Sequence, residues 1–236
     1  MLGVVESAEV VMSGFVSASV RAQRVVEGVS GGKLPLGFRL SEVTLWGVEV
    51  VLVYRLNEEE HARRTAVGGG PLDDLGMLDA LLKLPVKRPT LWSSLAGRDQ
   101  RLLRRGESSH AWVRRGDLVE RLAVPPLSVD LAVVRAEHAR VEGLDAMPFG
   151  AYVPQAMWLD CPAGGSQELL AEAVRFSTGV VHWQGVGEPR VLAPAEPLVE
   201  VWETSAGWRF AEHAYGQILG LPAAPGLVSP FRSPTG

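Results

Sequence analysis

The sequence predicts an α+β fold: a mostly antiparallel or mixed sheet packed with several helices in a single globular domain. Three observations predict it. Segments with period-two and with period-3.6 apolar spacing are interspersed along the 236-residue chain. Several neighbouring strand segments are joined by turns too short for the crossover that a parallel pair needs. Hydrophobic residues at 47% and charged residues at 21% are ordinary globular values, which excludes disordered and low-complexity classes. One domain is expected over 1–219, with a possible two-lobe division near 87–92, and a Pro-rich tail over 220–236.

In chain order, Glu9–Val20 reads as a strand and Arg21–Val29 as a short helix closed by Gly31-Gly32 and Pro35. Val43–Leu56 is the clearest strand, because Val48, Val50, Leu52, Tyr54 and Leu56 share one face. Glu58-Glu59-Glu60-His61 reads as an exposed acidic turn. Gly68-Gly69-Gly70-Pro71 is expected to open a helix with Asp73 and Asp74 in its positive first turn, and Pro85 and Pro89 to stop it. Leu91–Arg105 reads as a second helix, with Trp92, Leu95, Leu102 and Leu103 on one side and arginines on the other, Asp99 intruding on the apolar side.

Ala111–Arg115 and Leu118–Val124 flank Gly116-Asp117 and predict a hairpin. Val129–Glu142 leans to strand. Tyr152–Asp160 is a strand, Gln167–Phe176 a helix with Leu169, Leu170, Ala173 and Val174 inward, and Val180–Gln184 and Val199–Thr204 closing strands. Trp208–Leu219 is the last helix. Pro222, Pro225, Pro230 and Pro234 forbid regular structure in the tail.

The net charge of -4 gives no bulk attraction to nucleic acid or membrane. Cys161 is the one cysteine, so an intramolecular disulfide and a CxxC pair are excluded. The start of the chain lacks a basic region before its apolar residues, and its longest apolar run is too short to span a bilayer, so a cytoplasmic location is expected. Arginine far outnumbers lysine, as in GC-rich bacterial coding sequences.

Two segments carry candidate chemistry. Around Cys161, a strand, a small-residue turn and a helix start would favour a thiolate, with Cys161 as nucleophile, His182 as base and Asp160 or Glu188 as the orienting acid. The plainer alternative is a half-buried thiol beside an N-cap turn at Gly164-Gly165-Ser166. Over 98–121, Arg98, Arg101, Arg104, Arg105, Arg114, Arg115 and Arg121 form a basic surface for nucleic acid or another anion, with Trp112 placed to stack a base. The alternative is a solvated helix face, diluted by Asp99, Glu107, Asp117 and Glu120. The scattered histidines and the single Glu-x-x-His offer no metal site, Gly68-Gly69-Gly70 lacks the GK[ST] of a phosphate loop, and no cofactor motif is present.

Trp92, Trp158 and Trp202 are expected in the core, and Trp112 and Trp208 partly exposed. Trp208 and the tail residues Leu227, Val228 and Phe231 are candidate partner contacts. The expectation for function is a non-enzymatic binding or scaffold subunit of a cytoplasmic bacterial multi-protein assembly, whose partners are other protein subunits and which has no membrane contact. The alternatives are a cysteine-dependent hydrolase or transferase using Cys161 and His182, and a subunit touching nucleic acid through 98–121.

Overall fold

The computed structural model describes residues 18–32, 36–105, 110–136, 148–160, 167–183, 187–196 and 203–221. Trp46 and Gly47, at φ 53° and 82°, cut the apolar stretch expected to be one strand into two, β1 (Arg39–Leu45) and β2 (Val48–Leu56). Two successive positive φ values make the hairpin turn whose twist suits antiparallel strands, a turn ordinarily signalled by Asn-Gly. Tryptophan in the first position hid it. The ring is held there by stacking on Phe149 and His213.

The helix α1 (Ala18–Val29) begins three residues before the expected Arg21, so Ala18–Val20 is helical and not the end of a strand; residues 9–17 lie outside the described residues. After β2 comes α2 (Glu58–Val67), where an acidic turn was expected. Asn57 accepts the Glu60 N–H at 3.2 Å, three glutamates occupy the positive end, and Gly68 closes the helix at φ 64°. The next helix, α3 (Leu75–Leu82), starts later than Pro71. Asp74 is its N-cap, while the Leu72 N–H and the Asp73 carboxylate are committed to Glu212 and Arg209.

The expected helix over 91–105 is broken into a two-residue strand β3 (Thr90–Leu91), a 3₁₀ turn at Trp92–Ser94 and α4 (Gly97–Arg105). Asp117, 24 residues on, accepts from both the Ser93 N–H and the Ser93 hydroxyl, a tertiary tie that holds this turn out of the helix. Asp99 is buried at α4 and receives Lys83 Nζ at 2.9 Å. The hairpin formed by β4 (Trp112–Arg115) and β5 (Leu118–Arg121) is where the sequence places it, and completes a three-stranded sheet in the order β3-β5-β4.

Next follow β6 (Leu127–Ala136), β7 (Gln155–Leu159), α5 (Gln167–Arg175), β8 (Thr178–His182), β9 (Arg190–Ala193) and α6 (Ser205–Ile218). In α5, Leu169 and Ala173 are buried as expected, but Val174 is 63% exposed. The closing strand expected over Val199–Thr204 falls partly outside the described residues; Thr204 is the N-cap of α6, and β9 supplies the sheet's last strand.

The large sheet has the order β1-β2-β6-β7-β8-β9, with β6, β7 and β8 parallel and the other pairs antiparallel. One face, through Val51, Val53, Val133, Trp158 and Val181, packs on α1. The other packs Leu52, Tyr54 and Ala132 against α6, and Met157, Leu159 and Val180 against α5. The fold is therefore α+β. The small sheet, α3 and α4 enclose a second core of Leu78, Leu81, Leu103, Trp92 and Trp112, joined to α6 through Trp208. That core draws on residues on both sides of 87–92. No helix among the described residues is long and apolar enough to cross a membrane.

Candidate functional site

Trp92 and Trp158 are in the core as expected, and Trp202 lies outside the described residues. Trp112 and Trp208, expected partly exposed, are buried at 6% and 3%. Trp112 stacks on Trp92 with ring centroids 5.9 Å apart. Trp208 donates its indole N–H to Glu212 at 2.7 Å beneath the Arg121 guanidinium. Neither presents a ring to solvent. The tail candidates Leu227, Val228 and Phe231 lie outside the described residues.

The parallel strands β6, β7 and β8 bring their carboxyl ends to one edge, where open sheets commonly receive ligands. Asp160 and His182 meet there, since Leu159 is the register partner of His182. Strand alternation turns His182, two residues from Val180, toward the α5 side. Asp160 instead accepts from Arg135 Nη2 on the α1 side, and that guanidinium lies over the Trp158 ring. Asp160 is thus committed to Arg135 and turned away from His182. Cys161 and the turn that follows it lie outside the described residues. On the α1 side, Arg21, Glu42, Glu49, Arg135 and Trp158 surround a hollow of about 640 Å³. The Arg21 Nε there is buried without a hydrogen-bond partner among the described residues. No group of three His, Cys, Asp or Glu among the described residues could hold a metal ion.

An unforeseen polar cluster joins α2 to α6. Arg64, fully buried, donates Nη1 and Nη2 to Glu212 at 2.6 and 2.7 Å and Nε to Glu60 at 2.7 Å. Glu212 also receives the Leu72 N–H and the Trp208 indole, and Glu60 receives Arg63. Burial pushes the Glu212 carboxyl up from its ordinary value, against the pull of Arg64. For Glu60, burial acts upward too, but Arg63 and Arg64 outweigh it and hold the group low. Every acceptor in the cluster faces a donor, so it is an internal tie between helices. Helical periodicity could not reveal it, because the buried face of α2 is Glu60 and Arg64, not an apolar stripe. The i,i+4 Glu-Arg spacing after an Asn cap is the one signal the sequence carries.

The arginine segment separates into two populations. Arg121, counted with the surface in the sequence, is buried and bonded to the Ala123 and Leu81 carbonyls. Arg98 lies 3.8 Å from Asp79. Arg101, Arg104, Arg105, Arg114 and Arg115 are exposed and meet no carboxylate among the described residues. Elsewhere basic side chains are commonly paired, as in Arg24 with Glu188, Arg55 with Asp130 and Arg209 with Asp73. Trp92 gathers Arg104 from α4 and Arg114 from β4, with guanidinium carbons 5.5 and 4.3 Å from its ring. The fold thus joins the helix arginines to the hairpin arginines through a buried indole. No family model, curated protein or solved structure matches the chain.

Proposed function

We propose that the chain is a non-enzymatic binding subunit that works within a multi-protein assembly. The observation that carries this reading is the division of charge. The interior guanidiniums are consumed in internal bonds, Arg64 with Glu60 and Glu212 and Arg121 with the Ala123 and Leu81 carbonyls, whereas the exposed Arg101, Arg104, Arg105, Arg114 and Arg115 have no carboxylate among the described residues. Partnered interior charges fix a scaffold. Surface guanidiniums that are partly ordered and meet no carboxylate among the described residues suit recognition of an external anion, since arginine presents several donors in a rigid fork. The commitment of Asp160 to Arg135 weighs against the arrangement that would orient His182 for a thiol nucleophile.

Size-exclusion chromatography of extract from the native host, at native expression, tests the reading. The chain is expected to elute with defined partners, well ahead of its free form. Elution as the free chain contradicts it.

A further inference from the structure

We propose that β4 is a docking edge, to which an extended acidic segment of a partner protein adds as a fourth strand held by Arg104, Arg114 and Arg115. The proposal rests on the binding-subunit reading and names the surface and the partner chemistry. Gly116, at φ 64°, and Asp117 form a two-residue loop between Arg115 and Leu118, which are register partners. A loop of that length makes its flanking residues a hydrogen-bonded pair. Alternation then turns the N–H and C=O groups of Trp112 and Arg114 away from β5. In the order β3-β5-β4 no strand among the described residues lies against that side. The edge is therefore a ready template for an added strand.

Its side chains define the occupant. On the inner face, Arg114 and Arg104 are seated on Trp92, so their positive forks are partly ordered before any ligand arrives. On the outer face, Arg115 pairs in register with Leu118, and Leu118 with Leu91; the two leucines are 45% and 53% exposed. A strand laid on β4 would set acidic side chains against Arg104 and Arg114 on one face. Its other face would set apolar side chains beside Val113 and an acid beside Arg115, with Leu118 and Leu91 continuing the apolar surface across β5 and β3. A second copy of β4 would bring like charges together and is disfavoured. Nucleic acid fits less well, because Trp92 and Trp112 are both buried, leaving no ring of this pair to stack a base, and the net charge is -4.

The test uses the full chain and a short fluorescent peptide of alternating Glu and Val, followed by anisotropy at low ionic strength. Binding is expected, weakened about tenfold or more by Arg104→Glu with Arg114→Glu and untouched by Arg175→Glu on α5. Amide exchange at Trp112 and Arg114 should slow on binding, and N-methylation of the peptide backbone should abolish it. Equal binding by the charge-reversed variant, unchanged exchange at those amides, or displacement of the peptide by a DNA duplex that binds more tightly would overturn the proposal. In host extract, a chain that elutes with partners even when Arg104 and Arg114 are reversed sinks the docking edge and leaves the binding-subunit reading intact. A chain that elutes alone and binds no peptide sinks both.

Discussion

Replacing Arg64 by Met tests the interior tie. The guanidinium is fully buried and gives hydrogen bonds to Glu60, Glu212 and the Gly70 and Val124 carbonyls. Removing it leaves the Glu212 carboxylate with only the Leu72 N–H and the Trp208 indole. Breaking a buried ion pair from one side costs about 3–5 kcal/mol, because the remaining charge stays desolvated. In a domain of this size each kcal/mol lowers the melting temperature by roughly 2–4 °C, so a fall of about 10 °C is expected. Urea denaturation at neutral pH measures the free energy, and Arg39→Met, which breaks the exposed pair with Glu58, should stay within about 1 kcal/mol. Adding Glu212→Gln to Arg64→Met removes the stranded charge and should restore about 1–3 kcal/mol. The sign with pH follows from burial, which already raises the Glu212 carboxyl and acts unopposed by Arg64 in the variant. The penalty is full where the carboxyl is charged and shrinks as pH falls through the raised folded value. A single variant losing less than about 1 kcal/mol, or a double variant no more stable than the single, would refute the reasoning.

Other perturbations follow from the same geometry. Gly179→Ala in β8 should cost about 1–3 kcal/mol in urea, since the new Cβ would lie 2.8 Å from the Ala195 backbone nitrogen, which cannot swing aside as a flexible side chain would. Burial holds both His110 and His213 below the ordinary histidine value, so the folded state resists their protonation. Their contribution is fully present above the unfolded value of about 6.5 and is lost as pH falls from there through the depressed folded values. His110→Gln with His213→Gln should flatten that part of the stability profile, as read from melting temperature against pH. Arg104→Glu with Arg114→Glu should change folding stability by less than about 1 kcal/mol, because both side chains are exposed, and a larger loss would mark them as structural.

The sequence was legible wherever a single period or turn chemistry ruled. The hairpin at Gly116-Asp117, α5 and the strand core of β7 follow from alternation, helical spacing and a glycine turn. It was illegible where tertiary bonds replaced local preference. Helix α2 buries charge and so shows no apolar stripe, and the Trp46-Gly47 turn carries an indole where a small residue is the usual sign. The start of α3 is set by Leu72 and Asp73 bonding to a helix more than a hundred residues away. The arginine surface could be read from spacing along α4 and the hairpin. The burial of Trp112 and Trp208 could not, since it depends on Trp92 and Arg121 reaching them from other elements.

Site-specific photo-crosslinking in the native host tests most directly whether the α4–β4 surface meets a partner. A photoreactive residue replacing Leu118 stands opposite Arg115, one strand in from the open edge, and one replacing Val174 stands on the exposed side of α5. Adducts are expected from position 118, joined to an acidic segment of another protein, and lost when Arg104 and Arg114 are reversed to Glu. Adducts from position 174 alone, or from neither position, would contradict the account.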